Sequence, residues 1–135
     1  MSSDNHEKSK NSKTSSILIG KPKKNQISFE PLPVTKILFL ALLKKYPNSS
    51  GYDLMQRVKE FSDNLIEIQS GSIYPTLRDL EKLDLVTSKQ QPKGRKRRLY
   101  TLTESGKKEL AILGELLRTR MRLLMKPLLE LIENG

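Results

Sequence analysis

The chain has 135 residues and a formal net charge of +10, from 25 Lys and Arg against 15 Asp and Glu, with one His and no Cys. That length suits one compact domain with attachments, and the absence of cysteine excludes disulfides, thiolate zinc sites and thiol nucleophiles. The one histidine, His6, lies in a polar stretch, so neither a Ser-His-Asp triad nor a two-His metal site is expected; the chain reads as a non-enzyme without cofactor or metal.

The charge is localised. Residues 1–33 carry +3, 34–91 carry +1, 92–98 carry +5 and 99–135 carry +1, so half of the excess lies in Pro92-Lys93-Gly94-Arg95-Lys96-Arg97-Arg98. A strongly basic chain favours a polyanionic partner, either nucleic acid or an acidic membrane face. No segment has the unbroken apolar run of a membrane helix. The N-terminal stretch also lacks the apolar core of a signal peptide, its longest apolar run being Ile17-Leu18-Ile19. A cytoplasmic protein with no membrane attachment is expected.

Residues 1–33 divide into a tail and a lead-in. The tail, to about Gln26, is rich in Ser, Lys and Asn and has too little apolar surface to offset chain entropy, so it is expected to be disordered and basic. Its lysines could lie along DNA or only solubilise the chain. Phe29-Glu30-Pro31-Leu32-Pro33 reads as an extended lead-in. From Thr35, Ile37, Leu38, Leu40, Ala41, Leu42 and Leu43 cover more than one helical face, which predicts a central, largely buried helix ending at Tyr46-Pro47-Asn48. Ser50 is placed to cap a second helix, with Leu54, Met55, Val58 and Phe61 at 3/4 spacing and Ser62-Asp63-Asn64 at its end.

A third helix is expected from Ser70-Gly71-Ser72, with Ile73, Leu77, Leu80 and Asp84 on one face and Leu83 beside them. Pro75 favours Ser72 as the cap, or Ser70 with an irregular first turn, because proline is harmless only in the first turn. Leu85-Val86-Thr87-Ser88-Lys89 and Leu99-Tyr100-Thr101-Leu102 predict two strands of a hairpin whose tip is the basic segment. A last helix begins at Thr103-Glu104-Ser105-Gly106. Its Leu110, Leu117, Met121, Leu124, Leu128 and Leu131 form a heptad seam, and Pro127 is expected to kink or divide it. This order predicts a mainly α fold with a small β-hairpin. It is a winged helix-turn-helix DNA-binding domain over residues 34–102, followed by a C-terminal dimerisation helix over 103–135.

Three surfaces follow from that layout. The wing residues Lys93, Arg95, Lys96 and Arg97 are a run without acids, suited to phosphate or the minor groove; the duller reading is a solvated charge run or a polybasic membrane patch. On the third helix, Ser70, Ser72, Tyr74, Thr76 and Arg78 are the candidate base- and phosphate-contacting residues, with Ser70, Ser72, Tyr74 and Thr76 weighted above Lys82 because helix N-termini enter the groove first. Asp79 and Glu81 weigh against this, since they would repel phosphate. The leucine seam could pack on its own domain. It is too long for one three-helix core to cover, however, and an exposed apolar surface of that size marks an interface, here a homodimer.

At Gly51-Tyr52-Asp53-Leu54, Ser70-Gly71-Ser72-Ile73-Tyr74-Pro75-Thr76-Leu77 and Leu80-Glu81-Lys82-Leu83 the chain resembles PadR-like transcriptional regulators. The likeness continues through Gly94-Arg95-Lys96-Arg97-Arg98-Leu99-Tyr100 and Leu102-Thr103-Glu104-Ser105-Gly106, and covers about Val34 to Leu110. The resemblance implies a dimeric winged-helix repressor of the compact branch, in a family whose members often answer to small aromatic effectors near the dimer interface. Asp84 stands where the family usually has Gly; Asp tolerates the left-handed conformation such a turn requires. Together these features predict a homodimeric, sequence-specific regulator of the repressor type that binds double-stranded DNA at a palindromic operator. The alternatives are a winged-helix protein-interaction scaffold and a non-specific chromatin architectural protein.

Overall fold

Three helices, a hairpin and a long interrupted helix follow one another in the computed structural model, which describes residues 15–20, 29–94 and 96–135. They are α1 (Val34–Lys45), α2 (Gly51–Phe61), α3 (Ser70–Lys82), β1 (Val86–Gln90), β2 (Arg98–Leu102), α4 (Glu104–Arg120), a π-helical turn (Met121–Met125) and α5 (Lys126–Asn134). The mainly helical winged helix-turn-helix expected from the sequence is the fold observed. The chain divides into two units, residues 34–110 and residues 111–135 with the described part of 1–33.

In the first unit the core is built from every element. Phe39, Leu40 and Leu43 of α1, Leu54 and Val58 of α2, Ile73, Leu77 and Leu80 of α3, and Leu85, Val86 and Tyr100 of the hairpin are all buried. Each such side chain contributes about 1.5–3 kcal/mol relative to exposure. Ser50 caps α2 as expected: its hydroxyl accepts from the Asp53 amide at 3.0 Å and the Asp53 carboxylate accepts from the Ser50 amide at 3.0 Å, a full capping box. Phe61 departs from its expected face and stays exposed, because the core stops a turn short of the end of α2.

Helix α3 starts earlier than Pro75 suggested. Gln69 occupies the cap position without a side-chain bond, and neither Ser70 nor Ser72 caps. The amides of Ser72 and Ile73 both donate to the Gln69 carbonyl, at 2.9 and 3.1 Å, which tightens the first turn. Gly71 and Pro75 lie on the solvent side, so the carbonyl that the proline deprives of a donor is open to water. At the other end Asp84 has φ 61°, its amide donates to the Glu81 carbonyl at 3.0 Å, and the Leu85 amide donates to the Leu80 carbonyl at 3.0 Å. That is a Schellman closure with aspartate in the glycine position.

The hairpin pairs antiparallel from Val86 with Leu102 to Gln90 with Arg98. A further pairing was not foreseen: Ser49 and Tyr100 exchange backbone bonds, Tyr100 N–H to the Ser49 carbonyl at 2.8 Å and Ser49 N–H to the Tyr100 carbonyl at 3.1 Å. The turn after α1 thus acts as a short third strand beside β2. Thr103 caps α4, its hydroxyl accepting from the Gly106 amide at 3.0 Å and donating to the Asp84 carbonyl at 2.6 Å.

In the second unit, Pro127 divides the last helix in a specific manner. Its ring lacks the N–H that would reach back to Leu123. The turn ahead of it widens to a π turn, with the Lys126 amide donating to the Met121 carbonyl. The expected disordered tail lies largely outside the described residues. Residues 15–20, however, form an ordered turn: the Gly20 amide donates to the Ser16 carbonyl at 2.7 Å, the Ile19 amide to Ser16 Oγ at 3.1 Å, and Ser16 is buried. A serine that satisfies its own turn and a glycine at φ 88° explain why this short piece is structured despite its composition.

Candidate nucleic-acid interface

The first turn of α2, the N-terminal half of α3 and the root of the wing meet at one concave surface. It has a volume of about 390 Å³ and is lined by Ser50, Gly51, Tyr52, Tyr74, Lys96, Arg97 and Arg98. Gly51 makes the approach possible: a Cβ there would sit 2.5 Å from Tyr74 Cε1 and 2.8 Å from Cζ, so a side chain at this position would push the ring away. Tyr74 itself stays 40% exposed.

Of the predicted α3 residues, Ser70, Ser72, Tyr74 and Arg78 are exposed. Thr76 is only half-exposed and spends its hydroxyl proton on the Ser72 carbonyl at 2.8 Å, which leaves its methyl group and lone pairs for any partner. The two acids that weighed against this surface are engaged elsewhere. Asp79 lies 4.0 Å from Lys36 Nζ of α1, and Glu81 accepts from Ser88 Oγ at 2.7 Å. Beneath α3, Tyr100 is buried; burial first, then the Glu81 carboxylate, raise its pKa above the ordinary 10, so it stays neutral at any physiological pH.

On the wing, Lys93 and Lys96 are exposed and Gly94 turns the backbone at φ 81°, whereas Arg95 lies outside the described residues. Arg97 differs from its neighbours. Its guanidinium nitrogen sits 3.8 Å from Asp53 Oδ1, tying the wing root to α2. Sequence reasoning gave Gly51 and Asp53 no role of their own, and counted Arg98 only within the basic tip. The available signal was a glycine and an acid in the first turn of an amphipathic helix, which by itself indicates only a cap.

A second surface runs along the end of the chain. Of the seam residues, Leu117, Met121, Leu128 and Leu131 are exposed, while Leu110 and Leu124 are half-buried. A groove of about 750 Å³ is lined by Gly114, Leu117, Arg118, Met121, Arg122, Met125, Lys126 and Leu129. Its apolar members step by four residues. Leu117 and Met121 of the expected seam share this groove with Met125 and Leu129, whereas Leu124 and Leu128 lie outside its lining, and the π turn at Met121–Met125 takes more residues per revolution than a heptad allows for. Among the described residues, no helix is long and apolar enough to cross a membrane and no cluster of potential metal ligands occurs.

Comparison with known proteins agrees with this geometry. The model of the transcriptional regulator PadR-like family matches residues 39–112. The negative transcriptional regulator PadR of Bacillus subtilis (strain 168) is 37% identical over 79 residues, which are 57% of this chain and 43% of that protein. The chain therefore spans less than half the length of that relative. Among solved structures, Bacillus subtilis PadR in complex with operator DNA superposes with a TM-score of 0.54 and 34% identity, covering 61% of this chain and 46% of that one. A PadR family transcription regulator from hypervirulent Clostridium difficile R20291 superposes with a TM-score of 0.60 and 27% identity, covering 69% and 96%.

Proposed function

This chain belongs to the PadR-like family of transcriptional regulators, and on that premise we propose that it acts as a homodimeric, sequence-specific repressor on palindromic double-stranded DNA. The family is one of regulators, not enzymes. One observation carries the reading: Tyr74 of the N-terminal half of α3 and the cationic wing root border the same concavity, which suits a major-groove helix beside a backbone-gripping wing. The Lys36 ammonium 4.0 Å from Asp79 offsets part of the negative charge on the outer half of α3. The repressor assignment is supported by the relative described as a negative regulator. Dimerisation is supported by the exposed leucines and methionines of the last helix, which one subunit leaves in water.

Selection of bound duplexes from a random DNA pool, followed by footprinting, tests the proposal. A short protected palindrome is the expected result. Uniform coating with no preferred site would instead favour an architectural protein, and no binding at low salt would favour a protein-interaction scaffold. The wing is tested by Lys93→Ala with Lys96→Ala. The slope of log K against log salt is expected to flatten by about 0.9 for each phosphate that is no longer neutralised, across all DNA sequences. An unchanged slope would remove the wing tip from the DNA-binding surface.

A further inference from the structure

Asp53 is an acid beside a surface read as a phosphate-binding one, where it would repel phosphate, although its charge also suits the first turn of a helix. A neutral Asn would keep an amide oxygen as acceptor for the Ser50 amide without that charge. Three facts distinguish this carboxylate. Its Oδ2 accepts the Ser50 amide at 3.0 Å, so its orientation is set by the cap and not by solvent. Its Oδ1 is thereby presented to Arg97 at 3.8 Å, across from the wing root. Its neighbour Gly51 is the floor on which the Tyr74 ring of α3 rests. One helical turn therefore touches both DNA-facing elements, and Asp53 supplies the electrostatic half of that junction.

We propose that Asp53 is a specificity-determining positioning residue: by holding Arg97 against the first turn of α2, beside Tyr74, it makes wing and recognition helix meet DNA as one preset surface. The inference rests on the DNA-binding reading above. Its physical basis is the difference between two modes of binding. In the non-specific mode affinity follows the number of neutralised phosphates, so an acid that occupies Arg97 subtracts from it. In the specific mode the wing must sit in register with the base-contacting helix, and a preset wing saves the ordering cost at binding. Asp53 thus lowers the first affinity more than the second and widens the ratio between them.

The test uses the full chain, the duplex returned by selection and a scrambled duplex of the same composition, titrated between about 50 and 200 mM salt. Asp53→Asn keeps an acceptor for the Ser50 amide and removes the charge. Affinity for the scrambled duplex is expected to rise and its salt slope to steepen by about 0.9, which is about 3.5-fold across that salt range. The ratio of specific to scrambled affinity is expected to fall about threefold or more. In an Arg97→Gln background the same change is expected to alter neither ratio nor slope. A ratio unchanged in an Asp53→Asn chain of normal melting temperature overturns the inference. So does an equal effect in the Arg97→Gln background, which would mean that Asp53 repels phosphate directly, or a joint fall of both affinities with melting temperature, which would make Asp53 a cap only. Failure of the unmodified chain to bind either duplex would overturn the DNA-binding reading itself, whereas intact wild-type discrimination with an indifferent Asp53→Asn removes this inference alone.

Discussion

Residues 34–110 and residues 111–135 are both rich in leucine, yet they place it differently. In the first unit Leu40, Leu43, Leu54, Leu77, Leu80 and Leu85 have at most 1% of their surface exposed. In the second, Leu117, Leu123, Leu128, Leu129 and Leu131 are 39% to 68% exposed, with Met121 and Met125 at 57% among them. The winged unit closes its own core because helices, hairpin and the Ser49 pairing surround it on several sides. The last helix has one described turn, residues 15–20, and the lead-in for company in its unit, which cannot cover an amphipathic rod of that length. Identical side chains therefore close a core in one region and stay open to water in the other.

The sharpest way to break that contrast is to charge the exposed stripe. Met121→Asp with Leu129→Asp is expected to raise the dimer dissociation constant about a thousandfold or more, some 4 kcal/mol, since buried unpaired carboxylates are costly. Sedimentation reads this directly, while circular dichroism is expected to show the helical content of the winged unit retained. Equal dimerisation of variant and wild type would mean that the groove faces water in the assembly. The complementary change attacks the closed core. A Cβ at Gly106 would lie 2.0 Å from the Leu85 carbonyl oxygen and 3.0 Å from Leu102 Cδ2, with backbone on one side that has no room to yield. Gly106→Ala is expected to cost about 2–3 kcal/mol and to lower the melting midpoint by roughly 10 °C. A neutral result would show that α4 is free to shift on the hairpin. The smallest effect has the opposite sign. Asp84→Gly relieves a left-handed residue at the end of α3 and is expected to stabilise the chain by about 1 kcal/mol in denaturant titration, with DNA affinity unchanged.

These residues also show what a sequence can reveal and what it conceals. The Ser50 cap, the buried faces of α1 and α3, the hairpin and the tolerance of Asp84 for its turn were legible because each depends on residues within a few positions of one another. Local pattern was also what misplaced the start of α3: the rule for proline favoured a cap at Ser72, whereas burial of Ile73 and an open solvent side at Gly71 allowed the helix to begin before it. The contacts that assemble the site lie beyond such reach. Gly51 under Tyr74, Asp53 facing Arg97, and Ser49 beside Tyr100 join segments far apart in the chain and have no periodic signature. The π turn at Met121–Met125 was hidden for a related reason, because periodicity assumes a constant helical pitch and this turn changes it.

That change of pitch amounts to a phase offset. One residue of α-helix corresponds to about 100° of rotation, so the π turn at Met121–Met125 decides which side of the rod the final residues address. Winding the same five residues as α-helix, with none removed, would swing Leu128, Leu131 and Ile132 about a quarter of a revolution around the axis. Composition would be unchanged, yet the end of the chain would present a different face to whatever it meets.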